Sequence, residues 1–380
     1  MLVRGAVVIR QGAGKPRLQN RLKSNVYYTV ESTNRLTLLA RMHHNIVALE
    51  GLHVPIPEFD FAPPNTNTLT VYQNTLRNEV AERVKDATII ISTTIVLDAA
   101  ILDPKATPKL LLVAAMSTGT DHVDLAACKA RGVAVTNTPG ANIETVSEHA
   151  LSLFFAARRK TVLLHNITVN TSEWKQNGSV AKYLRTPDLE TPLVCQQEVC
   201  GIVGYGQLGK RLESIAKALG MTVLIADRKG ASSSSTDLSA ARTPFDEVIK
   251  CATVIFLTLP RTPETLNLIS TAELDAMSRK VVIVNVARGG IVDEAAIVEA
   301  LKGGKIAGYG TDVFTVEPAS GADDSPLLAD DAKSLNITVS PHIAWNSSMT
   351  GANLQRSLKE TVESWVAGNP QNVIVPGGPQ

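Results

Sequence analysis

Gly201-Ile-Val203-Gly204-Tyr-Gly206-Gln-Leu-Gly209 decides the fold of this chain. An apolar run of strand type ends in three glycines at the GxGxxG spacing, and a helical stretch, 207–219, opens inside the motif. The next β-branched run, Val223-Leu-Ile-Ala226, stops at Asp227. A glycine triplet alone carries little weight. In the order strand, turn, helix, strand, acid it specifies a Rossmann βαβ unit. Gly204 permits the tight turn, Gly206 lets the backbone approach a pyrophosphate, and Gly209 lets helix and strand pack closely. The amides of Gln207 and Leu208 lie at the positive helix end and are expected to face phosphates. Asp227 would accept hydrogen bonds from the adenosine ribose and repel a 2′-phosphate, which favours NAD. Arg228 beside it acts in the opposite sense and leaves NADP open.

Outward from this unit, β-branched runs alternate with helical stretches, the pattern of α/β sheets. Downstream strand candidates are 254–259, 281–286, 307–312 and 337–340, followed by a helical segment over 348–366. Upstream the candidates are 46–49, 88–91, 110–116 and 133–136. Between the first two lie a Pro- and Asn-rich loop from Pro55 to Asn74 and a helix near 78–85; a second helix spans 124–131. Thr138-Pro-Gly140 breaks the series. A helix from Asn142 to about Lys160 then keeps Val146, Ala150, Leu153, Phe154 and Ala157 at helical spacing. A polar stretch, 171–198, leads into the glycine motif. The pattern predicts an α/β protein of two domains, the second built on a doubly wound parallel Rossmann sheet.

At 380 residues and 44% hydrophobic content the chain can bury two cores. Lys and Arg number 37 against 36 Asp and Glu. That balance argues against nucleic acid or an anionic membrane as partner, since both call for a clustered cationic surface. Cys128, Cys195, Cys200 and Cys251 are too few for a disulfide framework, and their spacing fits neither a zinc site nor a CxxC pair. Reduced thiols, no metal and a cytoplasmic location are expected. Residues 1–41 carry basic side chains at eight positions and one acid, Glu31. They read as an N-terminal extension, either an unstructured leader ahead of a fold that starts near Met42 or a mitochondrial presequence.

Three polar groups sit where strands of the second series meet loops. Asn285-Val-Ala-Arg288-Gly-Gly290 ends one strand, Asp312-Val-Phe-Thr-Val-Glu317-Pro318 follows the next, and Ser340-Pro-His342-Ile-Ala-Trp345 follows the last. Ligands of doubly wound sheets bind outside the carboxyl ends of strands, so the three can converge. An arginine fork binds a carboxylate in bidentate fashion. A histidine near neutral pKa can give a proton to a keto oxygen, and a carboxylate on its second nitrogen raises that pKa and fixes the ring.

Together with Ser117-Thr-Gly119-Thr-Asp121-His-Val-Asp124, Asn137-Thr-Pro-Gly140, Thr145-Val-Ser-Glu148-His149 and Leu259-Pro260-Arg-Thr-Pro-Glu-Thr265, these motifs resemble the D-isomer-specific 2-hydroxyacid dehydrogenase family over roughly 42–375. The resemblance implies His342 as general acid/base, Glu317 as its partner and Arg288 as substrate anchor. It implies that the amides of Thr118 and Gly119 bind the substrate carboxylate. The cofactor would meet Thr258, Leu259, Pro260, Thr265, Val286 and Ala287, with Asp312 at the nicotinamide carboxamide. It further implies a flavodoxin-like substrate domain formed by 42–139 and 343–375, an NAD domain over 140–342, and a homodimer joined through the helix after Pro139 and the following loop. Pro341-His-Ile-Ala-Trp345 is similar to glycerate dehydrogenases and hydroxypyruvate or glyoxylate reductases, which points to hydride transfer between NAD(P)H and a small 2-keto acid. Trp345 reads either as a wall for a compact substrate or as packing at a domain hinge. Alternatives are an enzyme for bulkier aryl or alkyl keto acids, or an NAD-sensing corepressor. Glutamate at 317 disfavours formate dehydrogenase, whose members carry glutamine there. Two stretches depart from the pattern: 319–334 is long and acidic, and Gln196-Gln-Glu198 is polar just ahead of the glycine strand.

Overall fold

The computed structural model describes residues 42–186, 188–231 and 242–378. Of the first 41 residues it describes the backbone of three strands, β1 (Ala6–Ile9), β2 (Tyr27–Thr29) and β3 (Thr37–Leu39). The rest of the expected leader or presequence lies outside the described residues. The remaining strands are β4 (His43–Ala48), β5 (Thr66–Tyr72), β6 (Ile89–Ser92), β7 (Leu112–Ala115), β8 (Ala134–Thr136), β9 (Val199–Val203), β10 (Thr222–Ile225), β11 (Val254–Leu257), β12 (Val282–Asn285), β13 (Gly308–Thr311), β14 (Ile337–Val339) and β15 (Val373–Val375). Two compact units result: one runs to Asn142 and resumes at Ser347, the other covers Ile143–Asn346.

In the first unit the sheet order is β1-β5-β4-β6-β7-β8-β15, with antiparallel strands only at the two edges. The five parallel strands, counted along the chain, stand in the order 2-1-3-4-5, the flavodoxin-like arrangement. The interior runs Ile89–Ser92 and Leu112–Ala115 are buried at every position. Strands covered on both faces have no polar side to show. β5 corrects the expected loop from Pro55 to Asn74. Within Thr66-Asn-Thr-Leu-Thr-Val-Tyr72 only Leu69 and Val71 are fully buried, while the threonines and Asn67 lie half-buried. β-Branched threonine fits a pleated surface well, but two apolar residues are too few to announce a strand.

The second unit carries an all-parallel sheet in the order β10-β9-β11-β12-β13-β14. Beyond β10, Thr243 forms a single parallel bridge with Ala226, and its backbone pairs with Ile225 and Asp227. Counting that bridge as a shrunken third strand gives the Rossmann order 3-2-1-4-5-6 with one strand added. Alternation along the strands makes two cores. Val203, Ile255, Leu257 and Ile283 meet the helices Phe245–Cys251, Thr271–Ala276 and Glu294–Lys302 on one face. Cys200, Ile202, Val254, Phe256, Val282 and Val284 meet Ile143–Arg158 and Gln207–Ala218 on the other.

The helix Ile143–Arg158 buries the apolar stripe read from its spacing. It stops where Lys160 takes a left-handed φ of 51° and a separate helix, Thr161–Asn170, begins. Arg158 turns inward and meets Glu198 at 2.6 Å. It also donates to the carbonyls of Thr253 and Lys280, while the Thr253 hydroxyl donates to Glu198. The polar residue ahead of the glycine strand is thus one half of a buried ion pair at the amino edge of the sheet. Removing either partner of such a pair costs about 3–5 kcal/mol, because the other charge is left unpaired in low dielectric. Among the described residues, no helix is long and apolar enough to cross a membrane.

Candidate active site

The glycine turn leaves β9 at the point where the sheet order reverses, the position at which doubly wound sheets bind ligands. Gly204 has φ +97°, and a Cβ there would meet the backbone of Thr258 and Leu259 at 2.8 Å. A Cβ at Gly209 would lie 2.3 Å from the Gly204 carbonyl oxygen, whereas one at Gly206 would meet nothing within 4 Å. Two glycines are forced by packing and the third faces open space, as a pyrophosphate cradle requires. The helix Gln207–Ala218 starts at Gly206 with no side chain capping it, so the amides of Gln207 and Leu208 are left for an anion. Thr258 pins the turn by donating its hydroxyl to the Gly204 carbonyl at 2.6 Å. Asp227 lies two residues past β10 and half-buried, accepting from the Arg228 amide at 2.9 Å, and Arg228 is exposed. These residues fit a bound dinucleotide.

Farther along the same sheet edge, the structure brings together the three groups read from strand ends. His342 Nδ1 lies 2.6 Å from Glu317 Oε2, and the Phe314 amide donates to Glu317 Oε1 at 2.8 Å. A carboxylate only accepts, so Nδ1 bears the proton in that bond and Nε2 is the nitrogen left for another partner. Among the described residues Nε2 makes no hydrogen bond. The Glu317 bond raises the His342 pKa above its ordinary value, against burial, which lowers it; the Glu317 and Asp312 charges add to the rise and Arg288 opposes it. Burial pushes the Glu317 carboxyl up, but the bonds from His342 and Phe314 and the charges of His342 and Arg288 prevail and hold it below the usual carboxylate range. Arg288 thus lies close enough for its charge to act on both partners. Its loop rests on the Glu317 loop: a Cβ at Gly289 would fall 1.7 Å from the Phe314 carbonyl oxygen.

His342 has a φ of +53°, costly for a residue with a side chain. Its amide donates to the Asp312 carbonyl at 2.8 Å. The buried Asp312 carboxylate accepts from the Ile343 and Ala344 amides at 3.0 and 2.8 Å and from the Ser340 hydroxyl at 2.6 Å. Trp345 donates its indole N–H to the His342 carbonyl at 3.1 Å and packs its half-buried ring against the core. Left-handed strain of this kind costs about 1–3 kcal/mol. Hydrogen bonds to a charged group are worth about 1.5–3 kcal/mol each, so the carboxylate outweighs it.

Most of the remaining residues named from the sequence are also placed on this edge. Leu259 and Pro260 follow β11, and Val286 and Ala287 are buried beyond β12. Thr265 closes its own loop, donating to the Pro260 carbonyl at 2.9 Å and accepting from the Thr262 amide at 2.7 Å. Thr118 and Gly119 belong to the other unit, on the loop after β7, where Asn137 donates to the Thr118 carbonyl at 2.7 Å. The sequence did not reveal His149, whose Nε2 lies 2.7 Å from the Ser340 hydroxyl and 3.6 Å from Asp312 Oδ1. Its motif was visible, but nothing in a helical heptad says which strand end it reaches. The acidic stretch 319–334 is anchored by Ser325, Leu327 and Ala332, all buried.

Comparison with known proteins agrees with this fold. Residues 151–344 match the model of the D-isomer specific 2-hydroxyacid dehydrogenase, NAD binding domain. Glycerate dehydrogenase of Methylorubrum extorquens is 37% identical over 326 residues, covering 86% of this chain and 96% of that protein. Glyoxylate reductase of Korarchaeum cryptofilum is 33% identical over 78% of this chain and 85% of its own length. The crystal structure of D-lactate dehydrogenase from Aquifex aeolicus, complexed with NAD and lactic acid, aligns with a TM-score of 0.64 at 25% identity, covering 82% of this chain and 93% of that one. A Rossmann unit of this order, a matching family domain and relatives alike over nearly their full length make one case: the chain belongs to the D-isomer specific 2-hydroxyacid dehydrogenases and is an NAD-dependent oxidoreductase.

Proposed function

We propose that this enzyme reduces a compact 2-keto acid of the glyoxylate or hydroxypyruvate type to the D-2-hydroxy acid, with His342 as the proton donor. The observation that carries the reading is the 2.6 Å bond between His342 Nδ1 and Glu317, which leaves Nε2 open at the sheet edge that holds the glycine turn. A dinucleotide held at the glycine turn would supply the hydride. His342 Nε2 gives its proton to the keto oxygen as the carbonyl carbon is reduced, and Glu317 stabilises the imidazolium before transfer. Arg288 pairs with the substrate carboxylate through its fork. Thr118 and Gly119 are assigned to the same carboxylate on the family resemblance alone. Asp312 has most of its lone pairs committed to the His342 turn, so any contact with the nicotinamide carboxamide falls to Oδ2, which accepts one amide. Asp227 supports a preference for NAD over NADP.

The names of the similar proteins, glycerate dehydrogenase and glyoxylate reductase, favour a small substrate. An NADH-oxidation screen over glyoxylate, hydroxypyruvate and phenylpyruvate, with NADPH in parallel, tests this. The highest kcat/KM should fall on one of the first two. A preference for phenylpyruvate would overturn the substrate class, and no turnover of any keto acid would overturn the reaction. We also propose a cytoplasmic homodimer. The four cysteines are free thiols, and Val162, Val169 and Trp174 expose apolar side chains on the segment after the long helix, with Trp174 59% exposed. Sedimentation of the purified chain as a monomer would remove the dimer.

A further inference from the structure

Glu294 is buried in the first turn of the helix Glu294–Lys302. Among the described residues no basic side chain pairs with it. Its Oε1 accepts from the Thr315 amide at 2.7 Å and the Thr315 hydroxyl at 2.9 Å, and its Oε2 accepts from the Ser325 hydroxyl at 2.6 Å. A buried carboxylate is costly, and here the helix N-terminus and three donors offset the cost. The Asp293 side chain already caps this helix by accepting from the Ala296 amide at 3.0 Å, so the cap does not require Glu294. What Glu294 holds lies elsewhere. Thr315 sits between Phe314, whose amide donates to Glu317, and Glu317 itself. Ser325 is one of the buried anchors of the acidic stretch 319–334.

We propose that Glu294 is a positioning residue for the hydride-transfer reaction: by clamping Thr315 and Ser325 it fixes the loop that presents Glu317 to His342. The proposal rests on His342 acting as the proton donor. Without the clamp, the stretch from Thr315 to Glu317 loses its side-chain anchor beyond the buried Phe314, and the imidazole loses part of its carboxylate support. Gln at 294 keeps an oxygen for Thr315 and offers an N–H to the Ser325 hydroxyl, so it should stand in for Glu.

The test compares Glu294→Ala, Glu294→Gln and Thr315→Val with the unsubstituted enzyme in keto-acid reduction, reading kcat, KM, the pH profile, NADH affinity and Tm. Glu294→Ala should lower kcat by about tenfold, the scale of one lost charge-assisted hydrogen bond. Its alkaline limb should move to lower pH, with NADH affinity unchanged, and Glu294→Gln should restore both kcat and the limb. Thr315→Val, which removes only the hydroxyl contact, should shift the limb the same way by less, and it keeps the test alive if Glu294→Ala does not fold. A drop in Tm with kcat and the alkaline limb unmoved would show a purely structural residue and overturn the proposal. His342→Ala serves as the control: if it stays active, the proton-donor reading fails. If it is inactive while the Glu294 and Thr315 variants keep the original limb, only the present inference fails.

Discussion

Two carboxylate–cation pairs occupy opposite edges of one sheet, and their difference separates structure from chemistry. Arg158 and Glu198, at the amino edge, have side chains 5% and 0% exposed; His342 and Glu317, beyond the carboxyl ends, are 44% and 32% exposed. The first pair is locked by the Thr253 hydroxyl and the Thr253 and Lys280 carbonyls. It holds the long helix to the sheet and cannot exchange a proton with anything outside. The second pair leaves one imidazole nitrogen open and uses a side chain that can both take up and release a proton. Arginine at its position could not release a proton, and histidine buried like Arg158 could not reach a substrate.

Substitution should break this contrast cleanly. The largest effect is expected for His342→Ala, which should lower kcat for keto-acid reduction by about two to four decades with little change in Tm. Near-normal turnover would deprive the exposed pair of its role. Arg158→Met should do the reverse, costing about 3–5 kcal/mol of stability in denaturant titration while turnover per folded molecule persists. Intact stability would mean that Glu198 finds other support. The smallest and sharpest effect concerns pH. Reduction consumes the protonated imidazole, and the Glu317 hydrogen bond raises its pKa. Reductive kcat/KM should therefore hold below that raised value and fall as pH rises through it, while oxidation of the hydroxy acid gains over the same range. Glu317→Gln should move the fall to lower pH. An unmoved limb would assign the titration to another group.

The exposed pair was legible in the sequence and the buried one was not, for a physical reason. Arg288 and His342 each follow a β-branched run and Glu317 follows the buried strand Gly308–Thr311, and topology gathers strand ends whatever lies between them. Arg158 and Glu198 meet because a helix crosses a sheet at a particular angle, which no local pattern encodes; Glu198 registered only as an oddly polar residue ahead of an apolar strand. β5 escaped because only Leu69 and Val71 of its residues reach the core. Thr243, the remnant of the third strand, is a single bridged residue and has no periodicity to read. Glu294 resembled the ordinary acid of a first helical turn, and its partners Thr315 and Ser325 are polar loop residues of no evident meaning.

The contact between Gly289 and the Phe314 carbonyl sets a main-chain ruler. With no room for a side chain between them, the peptide after Arg288 and the peptide three residues before Glu317 keep a separation that only a substitution at Gly289 itself would force open. On the roles proposed for Arg288 and His342, that spacing would gauge the head of a 2-keto acid, a carboxylate one bond from a carbonyl. Whatever the substrate carries beyond its second carbon is left to residues outside it, so the range of tails can drift while the head stays fixed.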